Sequence, residues 1–348
     1  MKAKGPIRVL VIDDSALVRR AISEALSQDP DIEVVGVASD PYVAREQILK
    51  LNPDVLTLDL EMPRMDGLTF LKILQEHHPL PVVVVSALTP KGSTLALAAL
   101  EAGAVDVIQK PDGTQSVASV ARRLTTQIKA AARARMRSPT LDASPVATLP
   151  AGLSISSRRV IVIGASTGGV EALRFLLPRL PDGLPPIVVV QHIPAHFSKT
   201  MAAHLDALTP YRVREAAGGE ELKPGSCLIA PGDSHVLLVG RGAGYSLRVT
   251  QSPPVNHCRP SVDVLFRSAA EQAGAHAIGV VLTGMGSDGA RGLQLLRVAG
   301  ARTLAEAEES CVVFGMPQAA IRLGAAEQVV PLQQMPAAIL DAVKKGST

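Results

Sequence analysis

Short apolar runs alternate with helix-like segments along the first third of the chain. Five runs dominated by apolar residues are strand candidates, and they lie at 9–12, 33–37, 55–58, 82–85 and 105–108. Segments with helical spacing lie between them, at 16–27, 41–50, 68–77 and 93–102. Strands that are apolar throughout are typical of parallel sheets covered on both faces. The alternation therefore predicts a doubly wound α/β domain with a parallel sheet.

The same alternation returns in the second half of the chain. Four apolar runs are strand candidates, and they lie at 160–164, 187–190, 227–230 and 278–282. Amphipathic segments at 170–180, 261–273 and 290–299 are helix candidates. Two further apolar runs, 236–239 and 245–249, flank a Gly-rich stretch and predict a β-hairpin. This half is predicted to be a second doubly wound, parallel-sheet α/β domain.

The pattern weakens between residues 114 and 158. Basic residues accompany an Ala-rich, helix-favouring stretch, and a Pro- and Ser-rich stretch follows at 138–150. We interpret this region as the last helix of the first domain running into a flexible linker. No aromatic residues interleave with the basic ones, which favours a solvated linker face over a nucleic-acid interface. The predicted boundaries are 7–125 for the first domain, 126–157 for the linker and 158–345 for the second domain.

Composition limits the classes to which the protein can belong. Of the 348 residues, 47% are hydrophobic but only 2% are aromatic, so the cores must be aliphatic. The 35 Lys and Arg residues nearly balance the 32 Asp and Glu residues, which gives no whole-protein argument for binding nucleic acid or an anionic membrane. The apolar runs are too short for a transmembrane helix. Scattered cysteines and the lack of a signal-peptide pattern predict a reduced, cytoplasmic protein.

Polar side chains follow the predicted strands of the first domain. Asp13 and Asp14 follow the first strand, and Asp59 ends the third. Ser86 ends the fourth strand, and Lys110 follows the fifth. Carboxylates suit Mg²⁺, a lysine suits a phosphoryl group, and an Asp beside a metal can attack a phosphoryl donor. A single Asp is more often a cap or turn residue, but polar groups at several strand ends favour a phosphoryl site.

The first domain resembles a response-regulator receiver domain over about residues 7–125. The motifs that carry the resemblance are Val11-Ile-Asp-Asp-Ser15, Leu58-Asp-Leu-Glu-Met-Pro-Arg-Met-Asp-Gly67, Ser86-Ala87 and Lys110-Pro111. The resemblance implies a flavodoxin-like fold. It also implies that Asp59 is phosphorylated and that Mg²⁺ is bound by Asp13, Asp14 and Asp59. It also implies that Ser86 and Lys110 contact the phosphoryl group, and that a chemosensory histidine kinase is the phosphodonor.

Three strand candidates of the second domain end in Ser166, His192 and the loop that carries Asp288. Ser166 lies in a Gly-rich turn between a strand and a helix. Parallel strands would bring all three residues to one edge of the sheet. An imidazole can take the serine proton and a carboxylate can orient the imidazole, which indicates a hydrolase. The N–H groups of Thr167 and Met285 are candidate oxyanion donors.

Each of these residues also has a simpler interpretation. Ser166 can cap a helix, His192 can be a structural hydrogen-bonding group, and Asp288 can be a turn residue. A phosphate-binding loop is the weaker functional alternative, because the chain has no Walker lysine and no complete dinucleotide fingerprint. The order Ser, His, Asp excludes a standard α/β-hydrolase, in which the Asp precedes the His.

The second domain resembles the catalytic domain of the chemotaxis protein-glutamate methylesterase over about residues 158–345. The matching motifs occur in order, and they are Gly164-Ala-Ser-Thr-Gly-Gly169, Gln191-His-Ile-Pro194, Pro253-Pro-Val-Asn256, Arg259-Pro-Ser-Val-Asp-Val-Leu-Phe266, Leu282-Thr-Gly-Met-Gly-Ser-Asp-Gly-Ala290 and Cys311-Val-Val-Phe-Gly-Met-Pro317. The resemblance implies a triad of Ser166, His192 and Asp288, with Met285 in the oxyanion hole. It implies hydrolysis of glutamate methyl esters on chemoreceptors and deamidation of receptor glutamines.

The chain departs from the patterns of these families at three places. Val107 stands where receivers often have an aromatic residue, so switching through an aromatic toggle is not supported. Cys258 stands where methylesterases usually have His, and Ala305-Glu-Ala-Glu308 replaces a more usual Ala-Gln-Asp-Glu. None of these positions belongs to the triad. His257 and Cys258 are adjacent metal-ligand types, but two neighbours without partners are weak evidence for a metal site.

Two functions from different classes follow from the sequence. The leading hypothesis is a phosphorylation-controlled carboxylesterase that needs Mg²⁺ for phosphorylation and no cofactor for hydrolysis. In this hypothesis, the unphosphorylated receiver restricts access to Ser166. The alternative is a non-enzymatic response regulator whose C-terminal domain binds a partner protein. A DNA-binding regulator would need a recognition helix that the sequence does not show, and neither nucleic-acid binding nor membrane insertion is expected.

Overall fold

The computed structural model describes residues 5–87, 89–110, 117–134, 158–195 and 197–345. The chain divides into two compact units, Met1–Arg137 and Ser138–Thr348, and each is described by itself. Pro111 and most of the predicted linker, residues 135–157, lie outside the described residues. In the described ranges, no helix has both the length and the apolar character needed to cross a membrane.

The first unit is a five-stranded parallel sheet with helices between the strands. Its strands are β1 (Ile7–Ile12), β2 (Ile32–Ala38), β3 (Val55–Asp59), β4 (Val82–Ser86) and β5 (Asp106–Gln109). Its helices are α1 (Ala16–Leu26), α2 (Pro41–Leu51), α3 (Gly67–His77), α4 (Pro90–Glu101) and α5 (Val117–Ala131). The strand order is β2-β1-β3-β4-β5, and every neighbouring pair is parallel. The fold predicted for this half is confirmed.

Two aspartates of the first unit are helix caps. Asp40 caps α2 and Asp66 caps α3 by accepting backbone N–H groups of the first helical turn. Such a cap stabilises a helix by about 1 kcal/mol. Asp13 and Asp59 cap none of these helices, because the N-cap of α1 is Ser15 and that of α3 is Asp66. The carboxylates at the ends of β1 and β3 are therefore available for chemistry.

The second unit combines a seven-stranded parallel sheet with a separate hairpin. Its strands are β6 (Val160–Ala165), β7 (Ile187–Gln191), β8 (Arg212–Glu215), β9 (Ser226–Ile229), β10 (His235–Arg241), β11 (Gly244–Thr250), β12 (Ala277–Val281), β13 (Arg302–Glu306) and β14 (Gln328–Val330). The sheet order is β14-β13-β12-β6-β7-β9-β8, and every neighbouring pair is parallel. Strands β10 and β11 form the predicted antiparallel hairpin.

The helices of the second unit are α6 (Gly169–Leu176), α7 (Phe197–Leu208), α8 (Val262–Gln272), α9 (Ala290–Val298), α10 (Met316–Arg322) and α11 (Met335–Lys344). Helix α8 packs on α9, on β10 of the hairpin and on β6 of the sheet. Its Phe266 is fully buried in the core of this unit. This packing fixes the chain segment before α8 against the edge of the sheet where β6 ends. Three helices and three strands of this unit were not predicted from the sequence, namely α7, α10, α11, β8, β13 and β14.

Candidate functional site

Ser166 follows β6, the strand that lies between β12 and β7. The β6–β7 register places Ser166 level with His192, which follows β7. Three hydrogen bonds fix the Ser166 backbone. Its N–H donates to the carbonyl of Thr283 at 3.0 Å, and its carbonyl accepts from Gly169 N at 2.6 Å and Gln191 Nε2 at 2.8 Å. The half-buried side chain of Ser166 therefore stands on a rigid turn at the edge where parallel sheets bind ligands.

His192 and Asp288 form a hydrogen-bonded pair beside this turn. His192 Nε2 lies 2.9 Å from Asp288 Oδ2, and the two side chains are 15% and 3% exposed. Because an ionised carboxylate only accepts hydrogen bonds, the neutral form of the imidazole carries its proton on Nε2 and its lone pair on Nδ1. Nδ1 is therefore the nitrogen that can act as a base.

The second nitrogen of this imidazole faces a thiol. His192 Nδ1 lies 3.8 Å from Cys258 Sγ. Within the described part of the chain, Ser166 Oγ makes no hydrogen bond to the ring. Catalytic hydrogen bonds are often long before a substrate binds and tighten in the complex. The structure thus brings His192 and Asp288 into contact and places Ser166 level with them.

Asp288 accepts hydrogen bonds from five donors. The donors to Oδ1 are Asn256 Nδ2 at 2.9 Å, Ser261 Oγ at 2.8 Å and Asp263 N at 3.3 Å, and those to Oδ2 are Val262 N at 2.7 Å and His192 Nε2. Burial raises the pKa of Asp288, but the hydrogen bonds outweigh burial and hold its pKa below the ordinary value. Asp288 therefore stays ionised and can stabilise an imidazolium at His192.

Opposing effects also set the pKa of His192. Burial lowers the pKa of the ring, whereas Cys258 and the Asp288 carboxylate raise it, and the net shift is upward from the ordinary value of 6.5. A raised pKa means that the neutral imidazole is a stronger base than usual. It also means that less of the ring is neutral near pH 7, so any reaction that needs this base should gain rate as the pH rises.

The loop after β12 is tied directly to the Ser166 turn. Thr283 Oγ1 donates to the carbonyl of Thr167 at 3.0 Å. A Cβ added at Gly284 would lie 2.6 Å from Ser166 Cβ, so the two segments are in close contact. Among the described residues, no group accepts a hydrogen bond from Met285 N–H. The backbone N–H groups of Thr167 and Met285 thus lie in the two segments that frame Ser166.

Two residues that support this site, Asn256 and Glu306, were not predicted from the sequence. Asn256 donates one amide hydrogen to Asp288 and the other to Asp263 Oδ2 at 2.8 Å. Glu306 is fully buried and accepts the N–H of Thr283 at 2.8 Å. Both residues lie in stretches with recognisable motifs, but nothing in the sequence assigns their side chains. The Asn256 contact depends on a left-handed backbone with φ of 52°, which residue type alone does not predict.

A different cluster occupies the corresponding edge of the first sheet. Asp13 and Asp59 are 1% and 2% exposed, and Lys110 Nζ lies 3.0 Å from Asp13 Oδ2 and 2.7 Å from Asp59 Oδ2. Apart from this ammonium, no donor in the described ranges reaches these two oxygens. One carboxyl oxygen from each of Asp13, Asp14 and Asp59 lies within 4.8 Å of the others. Buried oxygens that lack donors fit a hard divalent cation such as Mg²⁺.

The charges of this cluster compensate one another only in part. Burial raises the pKa of Asp59, and Lys110 offsets that rise incompletely. Burial lowers the pKa of Lys110, but its hydrogen bonds to Asp59 and Asp13 reverse the effect and leave the pKa raised. The Lys110 N–H donates to the carbonyl of Ser86 at 2.8 Å, which places the buried Ser86 beside the lysine. The predicted phosphoryl-site residues are thus brought together, with Asp14 exposed at the rim.

These two sites define a class of protein in which a unit with an Asp and Lys cluster at its sheet edge precedes a unit that brings Ser166, His192 and Asp288 to the edge of a second sheet. The family model described as response regulator receiver domain matches residues 9–121, and the model described as CheB methylesterase matches residues 161–339. The chain therefore belongs to the CheB methylesterase family and carries a receiver domain.

Similar proteins match almost the whole chain. A protein of Syntrophus aciditrophicus named protein-glutamate methylesterase/protein-glutamine glutaminase 2 is 51% identical over 332 residues, which cover 94% of this chain and 97% of that protein. A protein of Chromohalobacter salexigens named protein-glutamate methylesterase/protein-glutamine glutaminase is 51% identical over 341 residues. The match covers 96% of this chain and 95% of that protein. The crystal structure of the Thermotoga maritima CheB methylesterase catalytic domain is 42% identical, with a TM-score of 0.52, and covers 53% of this chain and 97% of that chain.

Proposed function

We propose that this chain is a phosphorylation-controlled protein-glutamate methylesterase that also deamidates protein glutamines, and that its substrates are chemoreceptors. The observation that carries the proposal is the His192–Asp288 pair, which lies level with Ser166 at one edge of the sheet. The relatives are named protein-glutamate methylesterase/protein-glutamine glutaminase, which supports the two reactions on protein side chains. A module that only binds a partner would not need a carboxylate with five donors behind an imidazole.

Acylation begins when Ser166 Oγ attacks the carbonyl carbon of the glutamate methyl ester. His192 Nδ1 takes the serine proton, and Asp288 stabilises the resulting imidazolium through Nε2–H. The negative charge that develops on the carbonyl oxygen is held by the N–H groups of Thr167 and Met285. When the tetrahedral intermediate collapses, His192 returns the proton to the departing methoxide, methanol leaves, and the glutamyl group remains esterified to Ser166.

Deacylation uses the same groups in reverse order. A water molecule gives a proton to His192 Nδ1 and attacks the acyl carbon, and the Ser166 oxygen is then expelled and reprotonated. The product is a free glutamate side chain. For a glutamine side chain, the first leaving group is ammonia in place of methanol, and the second half of the reaction is unchanged. One triad therefore accounts for both the esterase and the deamidase activity.

In the receiver, we propose that Asp59 is the phosphoacceptor and that a chemosensory histidine kinase is its phosphodonor. Asp13, Asp14 and Asp59 would hold Mg²⁺, which when bound neutralises charge between the carboxylates and the phosphoryl oxygens. An Asp59 oxygen attacks the phosphorus of the kinase phosphohistidine, the P–N bond breaks, and the kinase imidazole leaves. Lys110 and Ser86 contact the transferred phosphoryl group. The under-satisfied oxygens of Asp13 and Asp59 support this assignment. The proposed pathway is cytoplasmic.

The substitution Ser166→Ala tests the enzymatic proposal. The full chain should release methanol from a methyl-esterified receptor fragment, and the variant should lose about 10⁴-fold or more in rate, since a triad without its nucleophile keeps only residual catalysis. Ammonia release from a glutamine-containing fragment should fall in parallel. Binding of the receptor fragment should persist in the variant. If the wild-type chain binds the fragment but releases neither product, the non-enzymatic alternative is correct.

Hydrolysis should also be independent of metal, although phosphorylation depends on it. The proposed triad chemistry uses only side chains and backbone N–H groups. Esterase activity of the full chain should therefore survive a chelator that abolishes labelling of Asp59. Loss of hydrolysis in the chelator, with recovery on adding zinc, would show that the catalytic site has been misassigned.

A further inference from the structure

Cys258 is held rigidly against the imidazole of His192. The segment from Val255 to Cys258 forms a tight turn in which Val255 N donates to Cys258 O at 3.1 Å and Cys258 N donates to Val255 O at 2.9 Å. Its central residues, Asn256 and His257, both have left-handed backbones with φ of 52° and 62°, as in a type I′ turn. The turn is fixed further because Asn256 bonds to Asp288. Cys258 Sγ is thereby placed 3.8 Å from His192 Nδ1.

In the neutral form of His192, the lone pair of Nδ1 faces this thiol. Asp288 holds the proton on Nε2 and is itself saturated by donors. Nδ1 therefore presents its lone pair on the side of the ring where Cys258 lies. A carboxylate that accepts the second ring N–H of a histidine is the usual outer-shell partner of a metal-binding histidine, because it fixes the tautomer and strengthens the ligand.

The spacing of the two free donor atoms also suits a metal ion. Zn²⁺ binds thiolate sulfur at about 2.3 Å and imidazole nitrogen at about 2.0–2.1 Å, so a tetrahedral ion holds the two ligand atoms about 3.6 Å apart. The separation of Cys258 Sγ and His192 Nδ1 is 3.8 Å. An Asp288 carboxyl oxygen lies within 4.8 Å of the ligand atoms of His192 and Cys258, and we assign this carboxylate to the outer shell.

We propose that Cys258 and His192 form a binding site for a thiophilic divalent cation such as Zn²⁺, and that occupancy of this site inhibits the hydrolase. Binding joins the cation to Cys258 Sγ, with release of the thiol proton to solvent, and to His192 Nδ1. Water completes the coordination. The cation takes up the lone pair that would otherwise accept the Ser166 proton, so the base is blocked. The inhibitory role rests on the proposed function, whereas the binding site does not.

Co²⁺ provides a test of the site that does not depend on activity. Thiolate ligands give Co²⁺ an ultraviolet charge-transfer band, and the all-oxygen cluster of the receiver contributes none. The full chain, kept reduced with a non-chelating phosphine, should develop this band on titration with Co²⁺. The band should be lost in Cys258→Ser and kept in Cys227→Ala, a control that removes a buried cysteine away from the proposed pair.

Two outcomes of the cobalt titration overturn the proposed site. One is a wild-type chain without the band, and the other is a band that persists in Cys258→Ser. A third variant, His257→Ala, distinguishes the proposed ligand pair, His192 and Cys258, from the sequence neighbours His257 and Cys258. The band should persist in His257→Ala, and its disappearance would replace His192 with His257 as the ligand and contradict the proposal.

Zinc inhibition tests the functional consequence. Hydrolysis by the wild-type chain should fall as Zn²⁺ is added and recover with a chelator. In Cys258→Ser, each rate is expressed relative to the metal-free rate of that variant, and the zinc concentration for half-inhibition should rise about tenfold or more. Equal sensitivity in both proteins would refute the inhibitory role. If the metal-free wild-type chain shows no hydrolysis, the proposed function fails, and the cobalt band still decides whether the site exists.

Discussion

Asp59 and Asp288 occupy equivalent edges of two parallel sheets but have opposite electrostatic settings. Both side chains are almost fully buried, at 2% and 3% exposure. The pKa of Asp59 is raised, mainly by burial, whereas the pKa of Asp288 is lowered in spite of burial. The difference lies in the supply of donors. Besides the Glu61 N–H on Oδ1, Asp59 has Lys110 as its only partner among the described residues.

In both units the edge of the sheet positions a buried carboxylate. The hydrogen-bond donors around that carboxylate determine which reaction it can support. A buried carboxylate with few donors still attracts a cation or a phosphoryl group, so Asp59 is suited to exchange its partners. A carboxylate that already accepts five hydrogen bonds does not attract a cation or a phosphoryl group in this way. Asp288 is therefore suited to hold an imidazole in one orientation. Phosphorylation requires the first property and general-base catalysis requires the second.

Among the tests of this difference between Asp59 and Asp288, the substitution Asp288→Asn is expected to change the rate of ester hydrolysis most. An amide can donate to His192 and reverse the tautomer, so the lone pair would no longer be on Nδ1. The rate of ester hydrolysis should fall by about 10³–10⁴-fold, as measured by methanol release. The exposed Asp341 offers a matched control, and Asp341→Asn should retain the wild-type rate within a factor of about two. A loss of less than tenfold in Asp288→Asn would contradict the orienting role of the carboxylate.

An intermediate effect is expected from phosphorylation of the receiver. Addition of a small-molecule phosphodonor and Mg²⁺ should raise the hydrolytic rate of the full chain by about 5–150-fold, which corresponds to a coupling free energy of ~1–3 kcal/mol. Asp59→Asn should remove both the stimulation and the alkali-labile phosphoryl label, because its amide cannot be phosphorylated. Stimulation that persists without Asp59 would mean that the phosphodonor acts elsewhere.

The smallest effect concerns the pH profile of hydrolysis. Because the pKa of His192 is raised and its neutral form is the base, kcat/KM should increase with pH through a midpoint above 6.5. Asp288 and Cys258 are the ionisable groups that raise this pKa. Cys258→Ala removes one of them and should shift the midpoint to lower pH. The assay should contain a chelator, so that bound metal does not alter the profile. An unchanged midpoint would show that the thiol has no influence on the base.

Much of this site could be predicted from the sequence because it depends on strand register. Apolar runs located β6, β7 and β12, and parallel strands necessarily bring Ser166, His192 and the Asp288 loop to one edge. The contacts of Asn256 and Cys258 could not be predicted in this way. They arise from a tight turn with two left-handed residues, which places side chains from a separate loop against the sheet edge. Short or exposed strands such as β8 and β14 also escaped detection, since they lack a continuous apolar run.

The central claim is that Ser166, and not the neighbouring Cys258, is the nucleophile that His192 activates. The most direct test is to mix the full chain with an activated glutamyl ester, quench it during the initial burst, and map the acyl group by peptide mass spectrometry. We expect an acyl adduct on Ser166 that disappears in Ser166→Ala and is retained in Cys258→Ala. An adduct on Cys258, or turnover of the ester without acylation of Ser166, would contradict the central claim.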